Sequence, residues 1–200
     1  MGRRFQAFRP PEGLPPRPWL DPSRPLDLEI GCGAGLHPIQ YARAHPDRQI
    51  LAIEHSKTRF KRLQGRVCHH PDLTHLYPIH ANAISWVSYQ LKEREIDRCF
   101  LLYPNPFPKQ KHRNLRWHNM PFFGELLSKL KINATFHLAT NEAWYMEEAC
   151  EVLRSRWGMQ LLKLQQLHRT DMAAARTHFE RKYLERGEVC FDAIFSLYSL

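Results

Sequence analysis

Glu29 stands in the run Leu28-Glu29-Ile30-Gly31-Cys32-Gly33-Ala34-Gly35, where an apolar segment gives way to three glycines alternating with small residues. Glycine accepts positive φ and carries no side chain, so such a loop lets the main chain approach a ligand. A helix starting at Leu36 would add unpaired N–H groups. That combination suits the amino-acid or ribose part of a nucleotide-like cofactor, although the same glycines would serve a plain strand-to-helix turn. Ile50-Leu51-Ala52-Ile53-Glu54 is a second apolar run closed by an acid, about twenty residues further on. At the end of the second strand of a doubly wound sheet a carboxylate faces ribose hydroxyls. The alternative is that Glu29 and Glu54 are two solvated strand ends.

Two more strand ends carry polar groups. Asn82, in His80-Ala81-Asn82-Ala83, could hydrogen-bond the edge of a cofactor's base or simply cap the next helix. Asn105 lies in Tyr103-Pro104-Asn105-Pro106-Phe107-Pro108-Lys109, a Pro-x-Pro-x-Pro loop that has little entropy left to lose on binding. Asn, aromatics and cations together at a strand's carboxyl end point to a substrate platform. Of the two basic clusters, Lys109-Gln110-Lys111-His112-Arg113 with Arg116 is well placed for phosphate contacts. Lys57-Thr58-Arg59-Phe60-Lys61-Arg62 reads as a solvated helix face.

The elements that position these residues alternate: strand 26–30, helix 36–45, strand 49–54, helix 56–67, strand 76–80, helix 83–93, strand 97–102. A long loop, 103–118, leads to helix 120–130, strand 134–140, helix 142–156, strand 159–167 and strand 188–197. This is an α/β pattern: a doubly wound, mostly parallel sheet with right-handed crossovers and an antiparallel C-terminal strand. Residues 1–25 hold seven of the 15 prolines and read as a Pro/Arg-rich arm without a core, leaving 26–200 as one domain. A net charge of +9 fits a polyanionic partner. No apolar run reaches membrane-spanning length, and the first residues lack the apolar segment of a secretory signal. Five scattered cysteines with no close pair fit neither a disulfide framework nor a zinc site, so a cytoplasmic protein without metal is expected.

The chain resembles the bacterial tRNA (guanine-N7)-methyltransferases, within the class I S-adenosylmethionine-dependent methyltransferases with their Rossmann-like sheet. The resemblance rests on Leu28–Gly33, Ile53-Glu54, Tyr103–His112, Leu138-Ala139-Thr140-Asn141 and Thr177-His178-Phe179-Glu180, in family order. It implies S-adenosylmethionine as cofactor, held by Glu29, Gly31, Gly33, Gly35, Glu54 (on the ribose), Asn82 (at the adenine) and Asn105. It implies tRNA as partner and a variable-loop guanine as target, with Asn105 in the catalytic position. Lys109, Asn141, Thr177, His178, Phe179 and Glu180 match substrate-binding positions. Family members can act as monomers, so a monomer is expected, with a homodimer as the alternative.

Asn82, Asn105 and Asn141 stand where the family typically has Asp, His178 replaces a lysine, and Phe107 a tryptophan. Guanine N7 has no proton to remove, so a neutral Asn105 predicts slower methyl transfer rather than none. Two other readings share these residues. One is a paralogue that binds RNA or cofactor without transfer. The other is a methyltransferase for a different base, since Asn105-Pro106-Phe107 is similar to the Asn-Pro-Pro-aromatic motif of exocyclic-amine methyltransferases.

Overall fold

The computed structural model describes residue 5 and residues 9–197. Along the chain come β1 (Leu26–Ile30), α1 (Leu36–Ala44), β2 (Gln49–Glu54), α2 (Lys57–Val67), β3 (Leu76–His80), α3 (Ala83–Gln90) and β4 (Ile96–Leu102). They are followed by α4 (Phe122–Lys129), β5 (Leu130–Thr140), α5 (Ala143–Ser155), β6 (Met159–Leu167), α6 (His178–Glu185) and β7 (Cys190–Leu197). The strands form one sheet in the order β3-β2-β1-β4-β5-β7-β6. The first five are parallel, and β7 runs antiparallel to β5 and β6. Strand order reverses between β1 and β4, which opens a crevice at the carboxyl ends of those two strands.

Period-two alternation explains the layering. In β1, Leu26, Leu28 and Ile30 join the larger core with Trp86 of α3, Phe122 and Phe123 of α4, and Tyr145 of α5. The odd positions, Asp27 and Glu29, are buried as well but bond to α1, through Tyr41 and His37. On that second face Ile39 and Ala42 of α1 and Leu63 of α2 pack over Ile50 and Ala52 of β2. Asp27 is fully buried and bidentate with Arg48 at 2.6 and 2.7 Å.

Four elements depart from the expectation, the simplest being β5, which begins at Leu130 rather than 134. The loop 103–118 contains two short 3-10 turns, Gln110–Leu115 and Trp117–Asn119. α3 stops at Gln90, because the next segment turns so that the Lys92 N–H reaches Glu95. α6 is a full helix between the last two strands. Its start is signalled by Thr177 and Glu180, a Thr-x-x-Glu pattern in which the Thr177 hydroxyl accepts the Glu180 N–H at 3.0 Å. The N-terminal arm adds to the main core: Phe5 meets Phe122 edge-on at 5.5 Å, and the Trp86 indole donates to the Pro15 carbonyl at 3.1 Å. Its Arg17 pairs with Glu95.

Gly35, expected among the ligand-facing glycines, turns the other way. It caps α1 at φ 85°, and a Cβ there would collide with Leu63 Cδ1 of α2. Its role is close helix packing. Gly35→Ala combines left-handed strain with overpacking, and is expected to cost about 2–4 kcal/mol. Thermal unfolding would show this as a midpoint roughly 5–15 °C lower.

Candidate active site

The chain leaves β1 in a turn over the end of β2, where the N–H groups of Gly31 and Cys32 both donate to the Ile53 carbonyl, at 2.8 and 3.1 Å. Gly31 (φ 76°) and Gly33 (φ 62°) are left-handed, and a Cβ on either would meet no protein atom within 4 Å. Both line an open cleft, so the glycines leave room for a ligand against bare main chain. Glu54 closes the loop from below. Its Oε2 accepts the Gly33 N–H at 2.8 Å and its Oε1 the Ser56 N–H at 2.7 Å. Each oxygen retains a second acceptor site for a ligand hydroxyl.

The cleft has two lobes that share Gly31, Arg59, Leu102 and Phe179. The first, about 320 Å³, runs along the glycine loop past Glu29, Gly33 and His37 to Arg62, Arg66 and His178. Glu29 is 2% exposed and its carboxylate meets His37 Nδ1 at 2.8 Å. Burial, then the charges of Glu29 and Glu54, push the Cys32 thiol up, so this wall carries no thiolate. The second lobe, about 400 Å³, is lined by Glu54, Asn82, Ile84, Asn105 and Trp117 among others.

Asn82 caps α3, its Oδ1 accepting the Ile84 N–H at 2.9 Å, and also lines the second lobe. The cap and the ligand-facing reading therefore coexist at this residue. Asn105 ends a loop held by two unusual backbone angles, Tyr103 at φ 54° and Phe107 at φ 48°. Its Oδ1 accepts the Phe107 N–H at 3.1 Å, a local turn that fixes the side chain beside the lobe.

A buried arginine holds that loop in place. Arg116 donates through Nε and Nη2 to the Phe107 carbonyl, both at 3.2 Å, and through Nη1 to Glu148 of α5 at 2.5 Å. Its guanidinium also covers the Trp144 ring at 4.7 Å. Glu148 accepts further bonds from Arg113 and Asn119. Burial alone would raise the Glu148 pKa, but the bonds from Asn119, Arg116 and Arg113 outweigh it and bring the group from 4.5 down to about 2. Because the folded value is depressed, this stabilisation is full above pH 4.5 and disappears as the pH falls towards 2. Glu148→Gln is expected to have a flatter stability profile than the parent across that window, measured by denaturant unfolding.

The remaining expected substrate residues divide into two groups. Phe179 is 38% exposed at the mouth of both lobes, with Arg59 5.7 Å above its ring. His178 and Thr177 line the first lobe. Burial, then Arg66 and Arg181, lower the His178 pKa, and Arg66 Nη1 lies 2.7 Å from its Nε2. Glu180, in contrast, is 1% exposed and lines neither lobe. It accepts the Tyr103 hydroxyl at 2.9 Å and the Arg176 guanidinium at 3.0 Å, and so ties α6 to the end of β4. Asn141 also lies outside the lobes and donates to Glu188 at 3.1 Å. Lys109 is exposed just before the first 3-10 turn.

The expected solvated face of α2 is exposed at Arg59 and Arg62, and the same residues also border the cleft together with Arg66, which that cluster did not include. Arg59, Arg62 and Arg66 all line the first lobe. Their spacing of three and four residues puts them on one side of the helix, a signal legible only once that side has a neighbour.

A family model described as "Putative methyltransferase" matches residues 23–193. The tRNA (guanine-N(7)-)-methyltransferase of Neisseria meningitidis serogroup B (strain ATCC BAA-335 / MC58) is 30% identical over 176 residues, covering 86% of this chain and 72% of the relative. The chain belongs to the tRNA (guanine-N7)-methyltransferase family. A second member, from Thermotoga maritima, is 24% identical over 164 residues, spanning 82% of this chain and 51% of that protein. Two solved structures share the fold. The 16S rRNA methyltransferase KamB superposes with a TM-score of 0.66 at 19% identity, covering 88% of each chain. The 16S rRNA (adenine(1408)-N(1))-methyltransferase of Catenulisporales acidiphilia, solved with its cosubstrate SAM, gives 0.64 at 14% identity over 91% and 93% of the two chains. The cofactor of this family is S-adenosylmethionine. The cleft suits it: bare main chain at Gly31 and Gly33, and a carboxylate with free acceptor sites at Glu54.

Proposed function

We propose that this protein transfers the methyl group of S-adenosylmethionine to N7 of a guanine in tRNA, with the variable-loop guanine as the target. The observation that carries this reading is the convergence of Glu54 and Asn105 in one lobe at the switch point of the sheet. One residue suits a ribose diol and the other sits where a reacting base would enter. S-adenosylmethionine, when bound, supplies an electrophilic methyl group. Glu54 would hold its ribose, Asn82 and Ile84 its adenine. Gly31 and Gly33, with Glu29 behind them, would hold its amino-acid part.

The protein's contribution to the chemistry is orientation. N7 is a bare lone pair, so no general base is required, and holding it in line with the methyl group supplies much of the acceleration. The purine gains positive charge during transfer. Asn105 offers that charge only a dipole, where a carboxylate would offer a full opposite charge. Phe179 and His178 at the mouth, and Lys109 on the adjoining turn, contact the RNA. Asn141, Thr177 and Glu180 act through the helix and strand ends they anchor. The proposed working unit is a monomer, with a homodimer as the alternative.

Asn105→Asp keeps the acceptor that caps the Phe107 N–H and adds the missing charge. It is expected to raise turnover by roughly tenfold, the effect of about 1.5 kcal/mol. Equal or lower turnover in a methyl-transfer assay would show that charge at this position does not limit the rate. The target base can be located by borohydride and aniline scission of tRNA treated with enzyme and cofactor, since 7-methylguanosine is the labile site. A single cut in the variable loop is expected. Cuts elsewhere, or none, would overturn the assignment.

A further inference from the structure

The first lobe of the cleft is more basic than a cofactor pocket requires. α2 reads Lys57-Thr58-Arg59-Phe60-Lys61-Arg62-Leu63-Gln64-Gly65-Arg66-Val67, with five cations and no acid. Leu63 is fully buried, and Arg59 and Arg66, four residues before it and three after it, flank it at the edge of the buried face, which brings them to the lobe. Arg59, Arg62 and Arg66 all line the lobe, facing Thr177, His178 and Phe179 across it. Among the described residues none of the three arginines has a carboxylate partner within ion-pair distance. The carboxylate on the same wall, Glu29, is already engaged by His37. Arg66 is oriented, its Nη1 donating to the Ala34 carbonyl at 2.9 Å and lying 2.7 Å from His178 Nε2. Arg59 is stacked over Phe179.

We propose that Arg59, Arg62 and Arg66 form a phosphate-binding track that receives the RNA backbone beside the nucleotide being methylated. The inference rests on the RNA-methylating reading above and deepens it. Two sources of anion compete for such a site: the carboxylate of the cofactor's amino-acid part, and the serial phosphates of a nucleic acid. The span decides between them. Residues 59 to 66 cover roughly 10 Å of helix at 1.5 Å per residue, more than one carboxylate can occupy but suited to consecutive phosphates. Guanidinium groups also match phosphate oxygens in bidentate geometry. Phe179, with Arg59 above its ring and Tyr183 stacked against it at 6.3 Å, marks where the track meets the second lobe. The track therefore leads a strand across the cleft mouth towards Asn105.

The test compares the wild-type protein with R59Q/R62Q and R59K/R62K variants. Affinity for unmodified tRNA is measured across a salt series, and affinity for S-adenosylhomocysteine alone by calorimetry. The glutamine variant is expected to bind tRNA more weakly and with a salt slope smaller by about 1.5, since each neutralised phosphate contributes about 0.7–0.9. The lysine variant should keep the slope, and cofactor affinity should change less than threefold. An unchanged slope in the glutamine variant, with wild type binding tRNA normally, would overturn the track alone. So would a loss of cofactor affinity without a change of slope, because the cations would then serve the cofactor's carboxylate. A wild-type protein that binds no tRNA would overturn both the track and the function on which it rests.

Discussion

Glu54→Ala is expected to weaken S-adenosylmethionine binding by about 3 kcal/mol, a loss of more than a hundredfold, assuming two charge-assisted bonds to ribose at about 1.5–3 kcal/mol each. The loss has two sources. The carboxylate is 4% exposed and spans the Gly33 and Ser56 N–H groups, so its removal frees the glycine loop as well as the acceptor sites for the ribose. Glu54→Gln keeps one acceptor and the shape, and should lose about tenfold. Calorimetric titration with cofactor separates the two variants. Equal affinity in wild type and alanine variant would place the ribose elsewhere and undo the assignment of Glu54 to the cofactor.

Arg116→Ala should be the most damaging change outside the cofactor lobe. Arg116 is 5% exposed and joins three elements at once: the Phe107 carbonyl of the substrate loop, Glu148 of α5, and the Trp144 ring. Breaking a buried ion pair by removing one partner costs about 3–5 kcal/mol, which for a chain of this size lowers the melting temperature on the order of 10 °C. The strained backbone at Tyr103 and Phe107 loses its tether, so Asn105 is no longer held. The expected result at a temperature where the variant is folded is a kcat reduced by more than tenfold, with cofactor affinity within threefold of wild type. Arg116→Lys restores a charge for Glu148 but lacks the planar fork that reaches Phe107 as well, so stability should recover further than turnover. Full recovery of both would assign Arg116 to folding alone.

The parallel core of the sheet was readable because its strands are short, apolar and separated by helical periodicity. The glycine loop and Glu54 were readable because their chemistry is local: a loop and two strand ends. What escaped depends on tertiary partners. Gly35 looks like its neighbours in sequence, yet it meets Leu63 from another helix and packs instead of lining the cleft. Glu180 sits in a motif associated with substrate, while Tyr103 and Arg176 draw it into the core as an anchor. Arg59 and Arg62 are as exposed as a solvated helix face, and only the opposite wall of Thr177, His178 and Phe179 makes them cleft residues as well. α6 is easily missed in the sequence because it is short and carries only three apolar residues, Phe179, Tyr183 and Leu184, although its capping pattern is present. The arm at 1–25 has few apolar residues, but Phe5, Leu14 and Leu20 find a surface already made by the domain.

The three asparagines separate in the same way. Asn82 and Asn105 line the second lobe, whereas Asn141 lies outside it, bonded to Glu188. Under the proposed function, the missing carboxylate is expected to bear on methyl transfer chiefly at Asn105, lowering the rate while the turn to Phe107 keeps the geometry. The most direct measurement is incubation of the purified protein with methyl-labelled S-adenosylmethionine and unmodified bulk tRNA, followed by digestion and nucleoside analysis. Label in 7-methylguanosine is the predicted result. Label in another nucleoside, or cofactor binding with no label transferred, would contradict it.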